Sequence, residues 1–147
     1  DKYVEVFSPN LSVENFIVSI TFVNPFDTST TGNWDYGIFF RDADGEAQYR
    51  LVILSNQTWT LIDSKTKRYV DSNASGSITS KGGEENTIWL IVSNEKAYLF
   101  INSVYMKSLN VSRVLSGDIM PATGVYYGNA KAQKKTNFHD FVVWSLP

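Results

Sequence analysis

The chain of 147 residues contains no cysteine. Disulfides, zinc–thiolate sites and thiol catalysis are therefore excluded, and the fold must hold without covalent staples. Histidine is almost as scarce, with His139 the single one. A lone histidine near the final apolar segment is expected to be structural or solvent-exposed rather than catalytic. No apolar run approaches the roughly 20 residues that a membrane helix requires, so no membrane insertion is expected. No signal sequence opens the chain, and Asp1 fits a processed start and a piece of a longer chain equally well. Charge of one sign is also missing. Thirteen basic and fifteen acidic residues leave a net charge of −2, and no basic run or stripe is visible. Nucleic acid and anionic membrane are therefore not expected as partners.

What is present is aromatic. Phe, Trp and Tyr make up 14% of the chain and hydrophobic residues 43%, which excludes disorder. The length suits a single domain, residues 1–147, either complete or cut from a longer multidomain chain. Helical periodicity is hard to find, whereas alternation with period two recurs in segment after segment. Phe16, Val18, Ile20 and Phe22 share one face of their segment; Ile88, Leu90 and Val92 share another, as do Ala97, Leu99 and Ile101. Clusters such as "NPFDTSTTGN", "DSNASGS", "KGGEEN" and "SNEK" separate these runs and supply turn chemistry. Pro9, Pro25 and Pro121 are read at segment edges, and "SRVLSGDIMPATG" is the one place for a short helical turn. Short strands at regular spacing predict an all-β sandwich or barrel.

The stretch "GIFFRDADGEAQYRLVIL" reads as a hairpin with a two-residue turn at Asp44-Gly45. Pairing then sets Arg41 opposite Gln48, Phe40 opposite Tyr49 and Phe39 opposite Arg50. Opposed residues share a face, so Tyr36, Ile38 and Phe40 join Tyr49, Leu51 and Ile53 on the core side. Phe39, Arg41 and Arg50 fall on the other side. A slip by one residue would bury both cations, which rejects that register. The two arginines are expected on a diagonal, roughly 7–8 Å apart at the backbone. Guanidinium forks so placed suit a carboxylate or sugar hydroxyls, while pairing with neighbours such as Asp35 is the plainer alternative.

Alternation also turns Trp89, Tyr98 and Phe100 away from the core. If their strands join the hairpin's sheet, they share a face with Phe39, Arg41 and Arg50. Aromatic faces beside polar donors suit sugar rings. The alternative is cover by a loop or by another domain of the same chain.

The order of "NFIVSITFVNPF", "WDYGIFFRD", "YRLVI", "WTLID", "NTIWLIV", "AYLFINSVYMKSL", "ATGVYYG" and "FHDFVVWSL" resembles the concanavalin A-like lectin/glucanase superfamily. More narrowly, it is similar to the laminin-G-like and 3-keto-disaccharide-hydrolase-like bacterial branches. The resemblance covers residues from about Asn10 to Leu146 and rests on strand pattern. It implies a two-sheet antiparallel jelly-roll sandwich whose curved sheet presents a concave ligand face. It also implies that Arg41, closing the strand Gly37-Ile38-Phe39-Phe40-Arg41, projects from that face. The superfamily holds lectins, enzymes and adhesive modules, so fold alone does not decide activity.

The leading expectation is a non-catalytic, extracellular or extracytoplasmic module. It would bind carbohydrate or a related polar ligand through Arg41, Arg50, Trp89, Tyr98 and Phe39. The alternatives are a structural or sensor module that meets protein, and a divergent glycoside hydrolase. Hydrolysis usually needs two carboxylates about 5–10 Å apart. The E-x-D-x-x-E strand motif of the superfamily's glucanases is absent, Glu84-Glu85 falls in a turn, and Asp42, Asp44 and Glu46 crowd the hairpin tip. No catalytic residue is therefore assigned. No cofactor or metal is expected either: "DADGE" is too short for a calcium loop and lacks its distal glutamate. Calcium held by distant loops, as in some relatives, stays open.

Overall fold

The computed structural model describes residues 4–43, 47–126 and 128–147. The expected Asp44-Gly45 turn lies outside them. The described residues form twelve strands and one short helix: β1 Glu5–Val6, β2 Ser12–Val13, β3 Phe16–Val23, α1 Thr28–Thr31, β4 Asp35–Ala43, β5 Ala47–Leu54, β6 Thr58–Asp63, β7 Arg68–Ala74, β8 Glu85–Ser93, β9 Lys96–Ile101, β10 Val104–Asn110, β11 Gly117–Thr123 and β12 Asn137–Ser145. The larger sheet runs β1-β11-β4-β5-β6-β7, with β2 also on β11; the smaller runs β10-β9-β8-β3-β12. Every pairing is antiparallel. Alternation predicts an all-β sandwich or barrel and the resemblance narrows it to a jelly roll; the two antiparallel sheets form that jelly-roll sandwich.

The core lies between the two inner faces. Phe16, Val18, Ile20, Phe22, Ile88, Leu90, Val92, Ala97, Leu99 and Ile101 come from the smaller sheet. They meet Tyr36, Ile38, Phe40, Tyr49, Leu51, Ile53, Trp59 and Leu61 of the larger one, all in one buried cluster. Each fully buried large apolar side chain contributes about 1.5–3 kcal/mol. Two segments depart from the sequence reading. The turn cluster beginning at Asp71 belongs in part to β7, whose polar composition suits a sheet edge. Pro121 lies within β11, opposite Ile38, and the stretch allowed a helical turn has a turn at Ser112 and Arg113 and is strand from Gly117 to Thr123. The described helix is instead α1.

The hairpin also departs from expectation, at one decisive point. Phe39↔Arg50 and Phe40↔Tyr49 pair as predicted, but the register then shifts and Ala43 opposes Ala47. Arg41 occupies the resulting bulge with φ +52°. A left-handed backbone at a non-glycine residue costs about 1–3 kcal/mol and needs surroundings that enforce it. Here it turns Arg41 from the outer face into the end of the sandwich, where the side chain is fully buried. Its Nη1 donates to the carbonyls of Val111 and Val114, both at 3.0 Å. Its Nη2 donates to Asn94 O at 2.7 Å and Glu14 O at 3.0 Å, and Nε reaches Glu14 O at 3.3 Å. One guanidinium thus ties the approach to β3, the β8–β9 turn and the chain after β10. The bulge presses its backbone on β11, so a Cβ at Gly117 would sit 2.5 Å from the Arg41 carbonyl carbon. Only glycine fits there.

The opposite end is closed by amides. Tyr36 Oη donates to Asn24 Oδ1 at 2.7 Å, and Asn86 Nδ2 donates to Tyr36 Oη at 2.7 Å and Thr79 O at 2.9 Å. Asn102 Nδ2 donates to Asn86 Oδ1 at 2.8 Å. Near this end, Asp35 holds the loop after β11. Its carboxylate accepts from Val125 N (2.7 Å), Tyr126 N (3.1 Å) and Asn129 Nδ2 (2.7 Å). Burial pushes the Asp35 pKa up, and these donors oppose the shift.

Arg41→Ala would leave several buried carbonyls unmet and is expected to lower unfolding stability by at least about 3 kcal/mol. Arg41→Lys, which cannot fork between four carbonyls, should fall between wild type and Arg41→Ala. Urea unfolding with unchanged midpoints would remove this role. Asp35→Asn keeps the shape but turns one acceptor into a donor facing a donor. We expect a loss of about 1–3 kcal/mol together with faster amide exchange at Val125 and Tyr126, read by hydrogen-exchange NMR.

Candidate functional site

Register assembles the candidate site on the outer face of the larger sheet. Met120, Phe39, Arg50, Ile62 and Tyr69 form one row across β11, β4, β5, β6 and β7. Phe39 is buried among Met120 and Ala122, with Val4 and Val125 packed against them. The Arg50 guanidinium carbon lies 4.8 Å from the centre of the Phe39 ring, a cation–π contact that fixes the cation over the sheet. Burial lowers the Arg50 pKa, and the nearby Asp42 charge works against that shift. Arginine nevertheless stays protonated in proteins, so the group is a permanent cation.

The loop held by Asp35 supplies the other wall. Tyr126 Oη lies 3.2 Å from Tyr69 Oη and 3.4 Å from Thr60 Oγ1. Burial pushes the Tyr126 phenol up to about 12, so it stays protonated and can donate. Between these elements runs a groove of about 330 Å³ lined by Arg50, Ile62, Ser64, Lys67, Tyr69, Val125 and Tyr126. Tyr69 is 61% exposed. The groove therefore offers a guanidinium held over Phe39, an exposed lysine, phenol and serine hydroxyls, and an open aromatic ring. That mixture matches a polyol with apolar C–H faces.

The five site residues expected from the sequence do not converge on one site: Phe39 and Arg50 meet on this face, Arg41 and Tyr98 border another cleft, and Trp89 stands apart from both. Phe39 and Arg50 reach this face, but Phe39 forms its floor rather than a contact surface. Arg41 is a correction: the bulge takes it inside, where backbone carbonyls occupy its donors. Trp89 and Tyr98 are a second correction, because β8 and β9 belong to the smaller sheet and these side chains face outward on the opposite side of the sandwich. There Trp89, 41% exposed, stacks on Trp144 with ring centres 5.6 Å apart. Phe100 is its cross-strand neighbour, and Tyr105 packs 5.3 Å from Phe100. Tyr98 borders an open cleft with Asn15, Asn94 and Lys96, and Arg41 is part of the same lining.

Tyr69, Tyr126 and Lys67 were not found in the sequence. Tyr69 stands in a polar edge strand without an alternating apolar pattern, and Tyr126 in a loop whose position depends on Asp35. Among the described residues no cluster of three or more His, Asp or Glu is placed to hold a metal ion. His139 lies on the surface between Glu85 (3.0 Å) and Asp140 (2.9 Å), and hydrogen bonds to these carboxylates raise its pKa. No described helix is long and apolar enough to cross a membrane.

The sequence matches no protein-family model and no curated protein. Solved structures do match in fold. A carbohydrate-binding module, CBM66, of Bacillus subtilis superposes with a TM-score of 0.75 at 10% identity, over 97% of this chain and 82% of that one. Sheep galectin-11, solved with glycerol, superposes with a TM-score of 0.63 at 9% identity, over 97% and 96%. A Parabacteroides distasonis protein described as a candidate glycosyl hydrolase gives 0.67 at 10% identity, over 99% and 88%. At such identities the shared property is the fold, a jelly-roll sandwich that these proteins have in common with this chain.

Proposed function

We propose that the chain is a non-catalytic carbohydrate-binding module, working outside the cytoplasm, whose saccharide lies in the groove on the outer face of the larger sheet. Membership of the concanavalin A-like superfamily is part of the same proposal. The observation that carries it is the row Phe39–Arg50–Ile62–Tyr69 roofed by Tyr126, which places donors beside an exposed ring. Tyr69 stacks on a sugar face, Arg50 and Lys67 donate to hydroxyls or a carboxylate, and the Tyr126 hydroxyl completes the edge. The fold shared with a carbohydrate-binding module and a galectin supports this reading.

A second reading rests on a different observation. The Trp89–Trp144 stack continues through Phe100 to Tyr105 on the outer face of the smaller sheet. A protein partner or neighbouring domain would meet the module on such an aromatic face.

A glycan-array screen followed by calorimetry separates the two. Tyr69→Ala and Arg50→Ala are each expected to weaken saccharide binding by at least tenfold, about 1.4 kcal/mol. Because Tyr69 is exposed, its variant should melt close to wild type. Trp89→Ala should bind normally. Binding lost in Trp89→Ala and retained in Tyr69→Ala would move the ligand to the smaller sheet and overturn the assignment.

A further inference from the structure

The loop that carries Val125 and Tyr126 over the groove also walls a second cleft, of about 310 Å³, that shares no lining residue with the first. Glu5, Trp34, Asp35, Asn129, Lys131, Lys134 and Lys135 are among the residues that line it. The chain as a whole is slightly acidic, yet three lysines fall within five residues here. Among the described residues none of the three forms a salt bridge. Lys131 is partly engaged, since its Nζ donates to Gly128 O. The Asp35 carboxylate is met by Val125, Tyr126 and Asn129, and among the described residues no salt bridge joins it to Lys134 or Lys135.

A second observation comes from Trp34. It is 2% exposed and stacks on Tyr36 with ring centres 5.0 Å apart. Its indole Nε1–H is buried without a hydrogen-bond partner among the described residues. A buried N–H left unmet is rare in folded proteins and calls for an acceptor. Ammonium groups and an unmet indole donor select the same kind of ligand: negative, compact and rich in acceptor oxygens.

We propose that this cleft is a second binding site, for a compact oxyanion of the carboxylate or sulfate type. Lys134 and Lys135 supply the charge, and the Trp34 indole N–H supplies one directed hydrogen bond. The oxyanion comes either free or as the acidic substituent of a sugar. The cleft and the saccharide groove have no lining residue in common, although the loop held by Asp35 borders both.

The test follows the four indole N–H resonances of ¹⁵N-labelled protein during titration with sodium sulfate, sodium glucuronate and neutral glucose, at ionic strength held constant with sodium chloride. The Trp34 resonance should shift saturably with glucuronate, and with sulfate too where a free oxyanion suffices; glucose should leave it in place. A response to glucuronate alone supports the acidic-sugar form of the proposal. The double variant Lys134→Gln/Lys135→Gln should weaken the response at least tenfold, and Tyr69→Ala should not change it. No saturable shift with either anion, an equal shift with glucose, or wild-type affinity in the double lysine variant would each overturn the proposal.

Discussion

The sandwich depends on one guanidinium. Two stacked sheets enclose an apolar layer, but their ends are open, and the loops there carry carbonyls that need donors. Arg41 meets four such carbonyls from three separate segments. Arginine suits this position because its fork has five N–H donors in fixed directions and cannot lose its proton. Burial works against the charge and lowers the pKa of the group, yet the carbonyl dipoles converge on it from several sides. The bulge, the left-handed φ at Arg41 and the glycine at 117 all follow from the need to bring that side chain inside.

A second buried side chain organises the two proposed sites. Asp35 is nearly inaccessible and holds the loop after β11 by three N–H donors. That loop places Tyr126 over Tyr69 on one side and lines the lysine-bordered cleft on the other. The two proposed sites therefore share a wall while differing in chemistry: aromatic and hydroxyl-rich in the groove, ammonium-rich in the cleft.

Much of the architecture was legible in the sequence. Alternation at Phe16–Phe22, Ile88–Val92 and Ala97–Ile101 identified core faces that are buried as expected, because a strand buried on one side must present its apolar residues with period two. The site was legible only in part. Arg50 and Phe39 reached the face that alternation assigned them. Arg41 did not, since a bulge of one residue breaks the parity on which that assignment rests. Trp89 and Tyr98 were placed correctly as outward-facing, but a strand pattern does not say which of two sheets a strand joins.

The sequence by itself determined the fold class, the inner and outer faces of most strands, and the lack of cysteine chemistry. These are local properties, set by period, turn residues and composition. Tertiary structure decided which outward residues are neighbours, which arginine is a plug and which a potential ligand donor, and where Tyr69 and Tyr126 meet. Those outcomes depend on strand order, on a register shift at Arg41 and on a contact between Asp35 and a loop about 90 residues later, and pairings over such separations leave no periodic trace in the chain.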